Sequence, residues 1–237
     1  MSNADVYAPE IETLLKISGD NLTSHASHIV IDGLTFENSD WNLYEVAGSH
    51  GKTSTQASLS LTATAGNWHY SAYRSVDTTP AVVEVQSADN INFVNNTVQH
   101  TANDGLNILN DVTESVFDGN RILDTGATGM SIGHPQHHFI GDKNSDELTG
   151  YKDPSNQHSD MEKYDVGVEG LCKTLKITNN YLTDLGNIFY GCPGITLYYG
   201  TDLKILHNHI EDAPYSGISI GWGWGYMRGA DKSDTGG

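Results

Sequence analysis

Four stretches decide the fold: INFVNNTV (Ile91–Val98), SVFDGNRI (Ser115–Ile122), LKITNNYL (Leu175–Leu182) and LKILHNHI (Leu203–Ile210). In each, apolar residues alternate, an asparagine follows at a fixed place (Asn96, Asn120, Asn180, Asn208), and another apolar residue comes two positions later. That pattern reads as a strand, a sharp bend and a second strand. A glycine then opens a third apolar alternation: GLNIL from Gly105, GMSIG from Gly129 and GISIG from Gly217 at one spacing, and GITLY from Gly194 after a longer connection.

Self-similarity at about 22 to 24 residues, with three short strands per unit and no helical stretch, is the mark of a solenoid of stacked coils. The expected fold is all-β, a single-stranded right-handed parallel β-helix with three strands per coil; the hand follows from the general preference for right-handed crossovers between parallel strands. Coils about 4.8 Å apart would stack equivalent residues in ladders. Phe93, Phe117, Ile177 and Ile205 form one expected internal ladder, Val98, Ile122, Leu182 and Ile210 a second, and Leu106, Met130, Ile195 and Ile218 a third. The asparagines form a fourth, structural one, each amide serving the backbone and its neighbour's amide.

At 237 residues the chain reads as one domain. Residues 1–4, Met-Ser-Asn-Ala, read as an expression remnant and 5–237 as the β-helix domain, part of a longer protein because coil ends need caps and none is evident. Two insertions interrupt the coils, about 40–79 and 134–165. The first carries Trp41, His50, Trp68, His69, Tyr70, Tyr73 and Arg74, the second HPQHH from His134 with Asp142, Asp146, Glu147, His158, Asp160 and Glu162. Long loops on a compact repeat are favoured places for function.

Twelve basic against thirty acidic residues give a formal charge of -18. Such a surface repels nucleic acid and anionic lipid, and it disfavours polyanionic sugars unless Ca²⁺ bridges the charges. No apolar run is long enough for membrane insertion. Cys172 and Cys192 either pair or remain as two small buried hydrophobes, and the sequence leaves the oligomeric state open.

NRILDTGATGMSIG (from Asn120), NNYLTDLG (from Asn179) and LKILHNHIEDAPYSGISIGWGWG (from Leu203) resemble right-handed β-helix domains of large secreted bacterial polysaccharide-degrading proteins, within the pectin-lyase-like superfamily. APEIETLLKISGD and HIVIDGLTFENSDW are similar to the first coils of a glycoside hydrolase group acting on plant glycans such as xylan and fucosylated pectin side chains. The resemblance implies a polysaccharide or oligosaccharide substrate, hydrolysis as the default chemistry, and a secreted, periplasmic or cell-surface location. It maps no catalytic residue onto this chain.

Ladder positions supply candidates. Past the third strand the column Asn110, His134, Tyr199, Trp222 offers rings suited to the apolar faces of sugars, so Tyr199, Trp222 and Trp224, with Asn107, are the expected substrate-binding residues. Glycosidic cleavage needs two carboxyl groups. Asp104, Asp111 and Glu169 beside the third strand are the expected catalytic carboxylates, with His134 to orient one of them or bind a hydroxyl. A second column, His100, Asp124, Asp184 and Asp212, could act likewise, but Asp two residues past a strand commonly caps the next turn. HPQHH matches no metal-ligand spacing, so no metal or other cofactor is expected beyond an optional Ca²⁺. Two further readings stay open: a Ca²⁺-dependent polysaccharide lyase, opposed by the scarcity of Lys and Arg for a base, and a non-catalytic glycan-binding or adhesive stalk.

Overall fold

The structure, a computed structural model, describes residues 8–20, 24–42, 52–53, 57–61, 76–133, 171–198 and 200–221. The first coil holds β1 (Leu15–Ser18), β2 (Ala26–Asp32) and β3 (Thr35–Glu37), followed by β4 (Lys52–Thr53), β5 (Leu59–Leu61) and β6 (Val76–Thr78) of the first insertion. The second coil holds β7 (Ala81–Gln86), β8 (Ala88–Val94) and β9 (Thr97–Thr101). The third holds β10 (Asp104–Ile108), β11 (Val112–Thr113), β12 (Val116–Asp118) and β13 (Arg121–Thr125). Next come β14 (Met130–Ile132), β15 (Cys172–Thr178) and β16 (Tyr181–Thr183), then β17 (Ile195–Leu197), β18 (Gly200–Leu206) and β19 (His209–Ile210), and last β20 (Ile218–Ile220).

Among the described residues there is no helix, and every strand of the three larger sheets pairs in parallel. The first sheet runs β1-β7-β10-β14-β17-β20, the second pairs β2, β8, β12, β15 and β18 in turn, and the third runs β3-β9-β13-β16-β19. This is consistent with a parallel β-helix. The strands β4-β5-β6 form a separate antiparallel sheet.

Register agrees with the ladders read from sequence. Phe93, Phe117, Ile177 and Ile205 are Cα partners in succession, as are Val98, Ile122, Leu182 and Ile210, and Leu106, Met130, Ile195 and Ile218. The members in the middle coils are fully buried and form one core. The repeated glycine has a steric cause. A Cβ on Gly105 would lie 2.7 Å from Ile122 Cγ2 and from the Gly129 carbonyl oxygen, and one on Gly194 would lie 2.8 Å from Ile210 Cγ2. Where another described coil follows, the corner between the third and first sheets leaves no room for a side chain, whereas Gly217 in the last coil has open space.

The asparagines stack as a chain of amides. The backbone N–H of Asn96 donates to Asn120 Oδ1 at 2.9 Å, that of Asn120 to Asn180 Oδ1 at 2.9 Å, and that of Asn180 to Asn208 Oδ1 at 3.0 Å. The Nδ2 groups of Asn96, Asn120 and Asn180 reach the next Oδ1 as well, and all four Nδ2 groups donate to a carbonyl one coil back: Ile31, Phe93, Phe117 and Ile177. At the first coil the ladder meets Leu34, whose N–H donates to Asn96 Oδ1 at 2.9 Å.

Just before the ladder lies a column that no sequence reading found. Gly33, Asn95, Gly119, Asn179 and His207 all have positive φ, between 55° and 71°. A left-handed residue followed by a buried asparagine turns the chain between the second and third sheets with only two residues, and the side chain repairs the hydrogen bonds the turn breaks.

Substituting Asn120→Ala strands the Asn96 N–H and the Phe93 carbonyl in the interior, and leaving a buried polar group unpaired costs roughly 1–3 kcal/mol each. Denaturant titration should show a loss of about 3 kcal/mol or more. Asn208→Ala, at the half-buried end of the ladder, should lose clearly less.

Candidate functional site

Both long excursions border the same sheet. One leads from β3 into the start of β7, the other leaves at the end of β14 before β15 begins at Cys172. Because the strands are parallel, the chain enters the first sheet from one at the margin where its strands begin and leaves it for the other at the margin where they end. Its inner face is filled by Val83, Val85, Leu106, Ile108, Met130 and Ile132, so the intervening Lys16, Glu84, Asn107, Ser131 and Thr196 stand on its outer face in register.

That outer face is polar yet covered. Asn107 and Thr196 are 0 % exposed and Ser131 1 %. Asp104, the first residue of β10, is also wholly buried. Its Oδ1 accepts the Ser58 hydroxyl at 2.5 Å and the Thr128 N–H at 3.0 Å, and its Oδ2 accepts the Ser131 hydroxyl at 3.2 Å. Ser58 belongs to the first insertion, and its N–H donates to the Tyr198 hydroxyl at 3.1 Å. Burial, then the charge of Asp104, holds the Tyr198 phenol well above its ordinary value. Asn107 Nδ2 donates to the Thr79 carbonyl at 2.7 Å. Asn107 Oδ1, Thr128 Oγ1 and Thr196 Oγ1 are buried without a hydrogen-bond partner. Native interiors pair nearly all such groups, so three orphans beside a buried carboxylate set this face apart from a packed core.

Of the residues expected at a site, the structure brings Asp104 and Asn107 together on this face. Asp111 lies elsewhere: it follows the end of β10, whereas Asp104 begins it, and four strand steps already span about 13 Å. That exceeds the spacing of roughly 5 to 9.5 Å that a carboxyl pair needs for glycosidic cleavage. Asp111 is 3 % exposed, has φ 54°, and holds His25 Nε2 at 2.8 Å. Desolvation raises its pKa, while the hydrogen bond and charge of His25, and the charge of Lys173, oppose the rise. Glu169, His134, Tyr199, Trp222 and Trp224 lie outside the described residues, as do all the members of the second insertion and His50, Trp68, His69, Tyr70, Tyr73 and Arg74 of the first. Trp41 is buried against Phe189, ring centroids 5.4 Å apart, and acts in packing.

The column His100, Asp124, Asp184 and Asp212 owes its composition to the backbone. All four have φ between 49° and 56°, and Asn38, the first-coil equivalent, has φ 65°. The left-handed region favours Asn, Asp and His among residues with a side chain. Asp124 is occupied by His100 Nδ1 at 2.7 Å and Asn187 Nδ2 at 2.7 Å. Cys172 and Cys192 are buried thiols not joined to each other, and burial pushes the Cys172 thiol up to about 12, so it is no nucleophile at neutral pH. Among the described residues no three His, Cys, Asp or Glu gather as metal ligands, and no helix is long and apolar enough to cross a membrane.

Sequence reasoning missed Glu84, which shares the outer face with Asn107. The signal was a lone acid inside AVVEVQ (Ala81–Gln86), an apolar alternation one coil before GLNIL. Glu84 is mostly covered, its side chain 14 % exposed, with Oε2 3.6 Å from Lys16 Nζ and Oε1 accepting the Ala81 N–H at 3.4 Å.

No protein-family model matches this sequence, and no curated protein does. Among solved structures the chain is similar to one named "Glycoside hydrolase", with a TM-score of 0.66 and 27 % identity over 91 % of this chain. The chain spans 34 % of the length of that protein.

The raised pKa of Asp111 fixes the sign of a pH effect. The folded state binds this proton more tightly than the unfolded chain does, so the contribution is present below the unfolded value, near 3.8, and is lost as pH rises through the higher folded value. Asn keeps the left-handed backbone without the charge. Urea midpoints should therefore show wild type losing ground to Asp111→Asn as pH is raised from strongly acid to neutral; a constant difference would show that the carboxyl does not titrate with folding.

Proposed function

We propose that the chain is part of a carbohydrate-active enzyme, a glycoside hydrolase that binds an uncharged plant or host polysaccharide along the outer face of the first sheet. The observation that carries this reading is the likeness over 91 % of the chain to a structure named as a glycoside hydrolase, at an identity of 27 %. The buried polar face supports it. A carboxyl group with orphaned amide and hydroxyl oxygens beside it suits a ligand made of O–H groups, each both donor and acceptor.

In this reading the chain winds as a right-handed β-helix with three strands per coil, which the cyclic order of the sheets and the usual hand of parallel crossovers favour. Asp104 supplies one of the two carboxyl groups of a two-carboxylate mechanism, and Asn107 binds substrate hydroxyls. Tyr199, Trp222 and Trp224 serve as sugar platforms. No cofactor is required. A polymeric substrate places the protein outside the cytoplasm, secreted, periplasmic or on the cell surface.

The intact protein should release reducing ends from xylan or pectic side-chain preparations without creating the ultraviolet absorbance of an unsaturated product. Asp104→Asn keeps the shape and can still accept the Thr128 N–H. It should lower the rate about 10²-fold or more, the usual weight of a general acid, with the melting temperature nearly unchanged. Product that absorbs, or full activity in Asp104→Asn, would refute the assignment.

A further inference from the structure

We infer that Ser58 is the latch of a strap that shuts the outer face of the first sheet, and that a ligand reaches Asp104 by taking the place of the Ser58 hydroxyl. The inference rests on the hydrolase reading above for the nature of the ligand and adds to it the step that admits one.

Four observations carry it. First, a face on which Asp104, Asn107 and Thr196 are 0 % exposed takes nothing from solvent as it stands, so its cover must move before it can bind. Ser58, 1 % exposed and bonded to Asp104, is part of that cover, and it leads directly into β5. Second, the strands beyond it belong to another sheet. Among the described residues no strand of the β4-β5-β6 sheet pairs with a strand of the three larger sheets, so the ladders that make the coils one unit do not run into the strap. Third, side chains hold Ser58 against the coils. Its hydroxyl donates to Asp104 Oδ1 at 2.5 Å, its N–H donates to the Tyr198 hydroxyl at 3.1 Å, and that hydroxyl donates to the Ser58 carbonyl at 3.4 Å. The root of the strap is fastened by backbone as well: the Thr79 N–H reaches the same carbonyl at 3.3 Å, and the Pro80 carbonyl accepts the Asp104 N–H at 3.1 Å. Fourth, the surface beneath is unmatched. Asn107 Oδ1, Thr128 Oγ1 and Thr196 Oγ1 are buried without a hydrogen-bond partner, whereas a permanent lining pairs nearly all such groups.

Opening exchanges like for like. Serine carries an alcohol, and so does a sugar, so the donor that Asp104 Oδ1 loses when Ser58 withdraws is one that a glycan hydroxyl replaces. Further hydroxyls offer donors to the three oxygens that the closed form leaves unpaired. Ser58, once released, makes with water the bonds it gave up, so the net cost of opening is small beside the gross strength of those bonds. A ligand that binds the open form alone draws the population toward it. Its apparent affinity is reduced by the fraction of molecules that are closed, and weakening the latch restores it.

Native-state hydrogen exchange on the intact protein tests the opening without any substrate. The Ser58 N–H and the Thr128 N–H, which donates to Asp104 beneath the strap at 3.0 Å, should exchange together, about 10²-fold or more faster than the Asn120 N–H of the amide ladder and with little dependence on denaturant. Ser58→Ala keeps the backbone bond to Tyr198 and removes the bond to Asp104. It should quicken exchange at Thr128 about fivefold, the weight of one net hydrogen bond, and leave Asn120 as it was. On the glycan that wild type cleaves, the same variant should lower KM about fivefold with kcat little changed. Loss of a hydroxyl with a purely structural role would leave KM unchanged or raise it. Exchange at Ser58 and Thr128 no faster than at Asn120, or a KM that does not fall in Ser58→Ala, overturns the inference while Asp104→Asn still tests the hydrolase reading. A wild-type protein that releases no reducing ends overturns that reading, and the exchange rates at Thr128 then decide for or against the strap.

Discussion

Stacked carboxamides at the turn between the second and third sheets hold the rest in place. Each asparagine closes hydrogen bonds to the coil before it and the coil after it, so the spacing of one coil is imposed on the next. With that column fixed, the side chains on either side are forced into register, and Phe93 must meet Phe117 as Val98 must meet Ile122. The ladder also has a direction. Every Oδ1 accepts from the preceding coil, and the N–H groups of Asn96, Asn120 and Asn180 donate to the following one, so the first coil needs no amide of its own and Leu34 suffices there.

This part of the architecture was legible because it repeats in side-chain chemistry. Alternating apolar residues, a buried amide and a glycine whose Cβ would strike the neighbouring coil are each dictated by a contact less than one coil away. The columns of left-handed residues were harder to see. His28, Asn90, Glu114, Thr174 and Asp202 share positive φ and a register position, yet no residue type recurs among them from coil to coil. The constraint acts on the backbone, and Asn, Asp, His, Gly and even Thr or Glu meet it at differing energetic cost.

The candidate site was legible only in part, for the opposite reason: it does not repeat. Asp104 and Asn107 stood out as acids and amides beside the third strand, and the structure sets them on one face. Glu84 sat unnoticed in a strand that looked purely apolar, because its place on that face comes from the register of β7 with β10 and its fold-back toward Ala81 from the third dimension. Neither appears in a one-dimensional pattern. The Asp124 column is the converse case, a regular array of acids whose shared left-handed backbone accounts for its regularity, in line with the turn-capping reading of the sequence.

The acidity of the chain follows from the same distinction. Of the fifteen non-glycine residues with positive φ among those described, twelve are Asn, Asp or His, so part of the formal charge of -18 is a by-product of turning the chain sharply many times. Most charge placed for that purpose lies at exposed corners, where water screens it, and the buried Asp111 is the exception. On the outer face of the first sheet the charge is different in kind, because Asp104 is covered and Glu84 nearly so. Water screens a carboxyl group there less than one at an exposed corner. On the proposed reading an uncharged glycan suits such a face, because its hydroxyls can pair with the oxygens of Asn107, Thr128 and Thr196 that the folded chain leaves unmatched.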